Sequence, residues 1–157
     1  MPDMALRVAE RLTGLKWMLS TAESCTGGMI AAHCTDLAGS SAWFDRGFIT
    51  YSNEAKAQML GVPNELIAIH GAVSEPVALA MALGAVYWSG AQASIAVTGV
   101  AGPSGGSPEK PVGTVWLAWC INGIVSAEIK HFDGNRNQVR QATVKHALLG
   151  LIVRLPE

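Results

Sequence analysis

Between residues 17 and 99, short apolar runs alternate with segments of helical periodicity, and this alternation confines the chain to a layered α/β architecture. Met4, Val8, Leu12 and Leu15 mark one face of a first amphipathic helix. A strand is expected at 17–21, then a mostly buried helix at 26–38 closed by Gly39. A strand rich in aromatic and β-branched residues follows at 43–52, and a short helix at 54–61, with Asn53 as its cap and Gly61 as its stop. Ser74, Glu75 and Pro76 open a helix that Gly90 ends, and 93–99 reads as a strand. Beyond a Gly/Pro-rich loop, strands at 114–121 and 124–132 meet at Asn122-Gly123, a hairpin signal, and a last helix spans 135–153. The expectation is one α/β/α domain over 1–157, with a mixed, mostly parallel sheet and one antiparallel hairpin.

Composition bounds the function. Half the residues are hydrophobic and 15% are charged, which suits a buried core and excludes disorder. The net charge is -1 and the 11 Lys and Arg residues are scattered, so nucleic acid is not an expected partner. The three cysteines, Cys25, Cys34 and Cys120, have no CxxC spacing, so neither a disulfide framework nor a metal site is expected. No apolar run is long enough for a membrane span and the first residues lack a signal-peptide pattern, so a soluble cytoplasmic protein is expected. The tryptophans suit a core or a subunit interface, and symmetry favours a homo-oligomer, a dimer first.

Ligands of open α/β sheets sit beyond the carboxyl ends of strands, and three loops are placed there, 22–28, 52–56 and 98–112. The first, "TAESCTGG" (21–28), sets Ser24 before an expected helix start. Backbone N–H groups from Cys25 through Thr26 and Gly27 to Gly28 would be free to hold an anion or a tetrahedral oxyanion. The alternative is a plain glycine turn. Cys25 is a second candidate nucleophile, because a helix N-terminus lowers a thiol's pKa. Ser24 needs a base. None of His33, His70, His131 and His146 lies in a triad-like motif. Lys56, near the end of the 43–52 strand, would serve as base if held in a dry site; otherwise it is a solvated helix residue. Tyr51 is placed to relay a proton or orient that lysine. The third loop, "TGVAGPSGGSPEKPVGT" (98–114), matches neither phosphate-binding glycine signature, yet Thr98, Gly99, Gly102, Gly105 and Gly106 offer donors and close approach to an anion.

Together "TAESCTGG", "GSSAWFDRGFITYSNEAKAQMLGV", "HGAVSEPVA" and "TGVAGPSGGSPEKPVGTVW" closely resemble the CinA C-terminal domain family, and within it the stand-alone bacterial nicotinamide-nucleotide amidases. The likeness runs from about residue 5 to about residue 150. It implies hydrolysis of the carboxamide of nicotinamide mononucleotide to nicotinate mononucleotide and ammonia, with no cofactor or metal. It also implies Ser24 as nucleophile, with Tyr51 and Lys56 completing the catalytic group. The 98–107 loop would then hold the ribose phosphate, helped by Arg140. Two other readings compete: a silent nucleotide- or protein-binding module of the same fold, and an amidase for another small amide.

Overall fold

β1 (Leu19–Glu23) is buried along its whole length and is the strand around which the sheet is laid. The computed structural model describes residues 2–157. β2 (Phe44–Ile49) and β3 (Ala93–Gly99) flank β1, both parallel to it. β4 (Thr114–Ile121) runs antiparallel to β3, and β5 (Ile124–His131) antiparallel to β4, giving the order β2-β1-β3-β4-β5. β4 is thus the one reversed strand, and the predicted mixed, mostly parallel sheet of a single-domain α/β fold is present.

The helices divide by face. α1 (Pro2–Leu15), α2 (Met29–Thr35) and α6 (Arg136–Arg154) pack on the side carrying Leu19, Ile95, Val97, Leu117 and Trp119. α3 (Asn53–Leu60), α4 (Asn64–His70) and α5 (Glu75–Ser89) cover the side carrying Ala22, Ala96, Ala118 and Cys120. The first face is bulky and the second small, because a strand's side chains alternate between faces. The small face lets α5 settle close to the sheet. There the buried Ser20 and Ser94 hydroxyls donate to the Ala85 and Ala82 carbonyls at 3.2 and 2.7 Å. At the other end of the sheet, the Arg154 guanidinium lies 3.8 Å over the Trp119 ring and 2.6 Å from Glu128. That contact holds the Glu128 carboxyl below its usual range and pins the end of α6 to β4 and β5.

The path from β1 to β2 crosses by α2 on one face; that from β2 to β3 crosses by α3, α4 and α5 on the other. A sheet wound both ways from β1 opens a crevice at the carboxyl ends of β1 and β3, where the two windings diverge.

Several elements differ from the sequence reading; among them, α3 is capped by Ser52, not by Asn53, which is its first residue. The strand expected at 17–21 is Leu19–Glu23, because Glu23, polar in sequence, still pairs with both neighbours. The helix expected from 26 begins only at Met29, because Gly27 and Gly28 take left-handed conformations (φ +57° and +110°) and form a turn. α4 was not expected; at 7 residues it is too short to show a period. Trp43 and Trp119 are core residues, whereas Trp88 is 54% exposed.

A Cβ on Gly84, in the middle of α5, would overlap the backbone carbonyl of Leu60 at the end of α3. Gly84→Ala is therefore expected to destabilise the protein by about 1–3 kcal/mol in denaturant titrations. An unchanged midpoint would show that α3 and α5 do not pack this closely.

Candidate active site

The carboxyl ends of β2, β1 and β3 lie side by side, and the loops leaving them bring Tyr51, Ser24 and Gly99 to one cleft of about 220 Å³. The Ser24 N–H donates to Val97 O at 3.1 Å, which ties the residue after β1 to the end of β3. The side chain faces the cleft and is nearly buried.

Lys56 comes from α3, whose start is fixed by the Ser52 hydroxyl accepting from the Ala55 N–H. Its side chain is 1% exposed, among the largest fully buried side chains of the molecule. Nζ lies 3.1 Å from Ser24 Oγ, 3.1 Å from Thr50 O and 3.4 Å from Tyr51 O. Among the described residues no carboxylate pairs with it. Burial without a counter-charge costs an ammonium several kcal/mol and drives its pKa down, so the amine is held below the ordinary lysine range. Carbonyl oxygens only accept. Nζ can donate to all three oxygens as an ammonium; as a neutral amine it would give its two N–H groups to Thr50 and Tyr51 and its lone pair to the Ser24 hydroxyl. That is the arrangement of a general base on a serine.

The Ser24–Gly28 turn is held from two sides. Glu23 is 1% exposed; its Oε1 accepts from the Thr26 hydroxyl at 2.5 Å and the Ile30 N–H at 2.8 Å, and its Oε2 from the Ala31 N–H at 3.0 Å. The N–H groups of Ile30 and Ala31, in the first turn of α2, are thus consumed inside the protein. Gly27 N–H is also spent, on Ser24 O at 3.0 Å. Within the turn, the N–H groups of Cys25, Thr26 and Gly28 have no protein acceptor among the described residues. Arg140 grips the other side of the turn: Nε donates to Cys25 O at 3.1 Å and Nη2 to Thr26 O at 3.2 Å. It anchors the Ser24–Gly28 turn, and the cleft lining includes Arg136 in its place.

Cys25 does not gain the acidity expected of a helix N-terminus. Burial pushes its thiol up to about 12, and the nearby Glu23 adds to the rise. None of the four histidines lines the cleft. In the 98–114 loop, Thr98, Gly99 and Ala101 line it, Gly102 touches it through Arg136, and Gly105 and Gly106 stand away from it on the exposed outer part. Tyr51 reaches Lys56 by its backbone carbonyl; its side chain is 60% exposed at the mouth, with the hydroxyl 3.0 Å from Arg136 Nη2.

Sequence reasoning missed Arg136, Asn53 and Glu23. Arg136 lines the cleft, and its Nη1 donates to Gly102 O at 2.8 Å. A signal was present: Arg136 is the first residue of α6, where a cation opposes the helix dipole and needs another reason to be there. Glu23 reads locally as a loop carboxylate, and only the fold shows it buried.

The profile of the CinA C-terminal domain matches residues 2–155. The chain is 52% identical over 149 residues to the nicotinamide-nucleotide amidohydrolase PncC of Escherichia coli K12, covering 93% of this chain and 89% of that protein. It is 53% identical over 149 residues to the protein of that name from Pseudomonas putida, covering 95% and 93%. Its fold matches the crystal structure of the competence/damage inducible protein CihA from Agrobacterium tumefaciens with a TM-score of 0.93 at 52% identity, over 97% of this chain and 93% of that one.

A buried, protonated Cys25 predicts that the native protein resists alkylation at this residue by iodoacetamide at neutral pH, whereas the unfolded chain reacts at all three cysteines. Rapid, selective modification of Cys25 in the native state, read by peptide mass, would restore it as a candidate nucleophile.

Proposed function

The chain belongs to the CinA C-terminal domain family, and from that premise and the contact between a buried Lys56 and Ser24 we infer that it hydrolyses the carboxamide of nicotinamide mononucleotide. The relatives named for this activity, about half identical over nearly their whole length, support the substrate. The single observation that carries the chemistry is an amine without a counter-ion 3.1 Å from a serine hydroxyl.

In this reading Lys56 takes the Ser24 proton directly, without a relay through Tyr51. Ser24 Oγ attacks the carboxamide carbon. The developing oxyanion is met by the free N–H groups of the turn, Cys25 first and then Thr26. The protonated Lys56 returns its proton to the departing nitrogen, which leaves as ammonia. A water, deprotonated by the same amine, then opens the acyl-enzyme; Lys56 returns that proton to Ser24, and the acid leaves and ionises, its proton going to the released ammonia in solution. The cationic pyridinium of the substrate withdraws electrons from the amide, and its charge favours a neutral Lys56.

The cleft of about 220 Å³ is smaller than the roughly 300 Å³ at which pockets for drug-sized ligands begin, so it takes the ring and leaves the ribose phosphate at the mouth. There Arg136 is the cation placed to meet the phosphate, in the role first expected of Arg140. The Tyr51 ring, beside it, offers a face to the pyridinium. The free thiols of Cys25, Cys34 and Cys120 support a reducing, cytoplasmic setting.

Ammonia release from nicotinamide mononucleotide tests this. Ser24→Ala and Lys56→Arg are expected to lose roughly 10⁴-fold or more in kcat. Arg136→Met is expected to raise KM with little change in kcat. The acid limb of kcat/KM should rise as Lys56 loses its proton, centred below the ordinary lysine range. Activity that survives Ser24→Ala would remove the serine mechanism, and a folded parent that releases no ammonia would remove the substrate.

A further inference from the structure

We propose that Glu23 is a positioning residue of the reaction: its buried carboxylate locks the Ser24–Gly28 turn onto α2 and so fixes the Ser24 hydroxyl against Lys56. The proposal rests on the serine–lysine reading above. Glu23 touches neither Ser24 Oγ nor Lys56 Nζ and does not line the cleft. It acts through the backbone, as the residue immediately before the nucleophile.

Three facts support the role. The carboxylate is fully enclosed, and a buried charge persists only where hydrogen bonds replace water. It accepts three such bonds, all from the segment that follows Ser24: one from the Thr26 hydroxyl, within the turn, and two from the first turn of α2. The helix itself offers no alternative, since its cap residue is Gly28, without a side chain to accept. Removing the carboxylate therefore frees the turn from the helix at its one side-chain attachment, leaving Arg140 to hold only the carbonyl side.

No neutral side chain of this shape replaces it. Glutamine has one acceptor oxygen and one NH₂ group. If the oxygen faces Thr26 and Ile30, the NH₂ opposes the Ala31 N–H; turned over, it opposes the Ile30 N–H. Either way a donor meets a donor, and the turn must shift. A displacement of about 1 Å at a reacting hydroxyl can cost on the order of a hundredfold in rate.

Glu23→Gln tests the proposal with two readouts. One is turnover of nicotinamide mononucleotide. The other is the rate at which Ser24 is labelled by a fluorophosphonate, followed by peptide mass, which needs no knowledge of the natural substrate. We expect kcat and the labelling rate to fall together by about a hundredfold, with KM within about twofold and the acid limb of the pH profile unmoved. Thr26→Val, which deletes one of the three bonds in a similar volume, is expected to give a smaller loss of the same kind and serves if Glu23→Gln does not fold. An unchanged labelling rate in folded variants would overturn the proposal, as would a rise in KM alone. A shifted acid limb would overturn it too, by making Glu23 a proton carrier. If the parent labels at Ser24 in a Lys56-dependent way but releases no ammonia, the substrate is wrong while the positioning role is still decided by the label.

Discussion

A primary amine is taken out of water here with no carboxylate paired to it among the described residues, and much of the fold can be understood as holding it there. Between the lowered pKa of Lys56 in the fold and the ordinary lysine value, the unfolded chain binds a proton that the folded chain does not. Stability therefore rises with pH through that window, and below it the buried charge costs stability. Among the described residues, two backbone carbonyls and one serine hydroxyl are its hydrogen-bond partners. Three oxygens could equally accept from an ammonium, so it is burial, not the hydrogen-bond count, that pushes the amine toward its neutral form.

The sheet supplies the enclosure. β1 ends between two parallel neighbours, so the residue after it emerges at the floor of the crevice. The small face formed by Ala22, Ala96 and Ala118 brings α5 close, and the end of α3 packs on α5 at Gly84. Lys56, on α3, is thus carried over the carboxyl end of β1. On the opposite face, the Glu23 carboxylate at the end of β1 accepts from the first turn of α2 and from Thr26, and α6 sends the Arg140 guanidinium to the carbonyls of Cys25 and Thr26. The packing that stabilises the fold therefore also sets where α3 places Lys56.

The layers and the hairpin were legible from local chemistry. The Asn122-Gly123 pair does join β4 to β5, and Gly61 and Gly90 close α3 and α5 in left-handed conformations, as stop signals should. Ser24 and Lys56 were legible as a pair through the family resemblance; the sequence alone left Lys56 open between a dry base and a solvated residue. What the sequence hid depended on long-range packing. The burial that raises the Cys25 thiol and the use of α2's N–H groups by Glu23 follow from packing around the turn, and the exchange of places between Arg136 and Arg140 from where α6 lands on the sheet. No local periodicity reports that.

The central claim is that Lys56 is neutral at working pH because it is buried, and the most direct measurement is its own titration. Proteins labelled at lysine with ¹³C and ¹⁵N, compared with Lys56→Arg for assignment, give the Nζ resonance as a function of pH. The account predicts a Lys56 midpoint well below those of the surface lysines, reached while the protein remains folded. A midpoint in the ordinary lysine range would mean a cation beside Ser24 throughout, and the serine would then need another base.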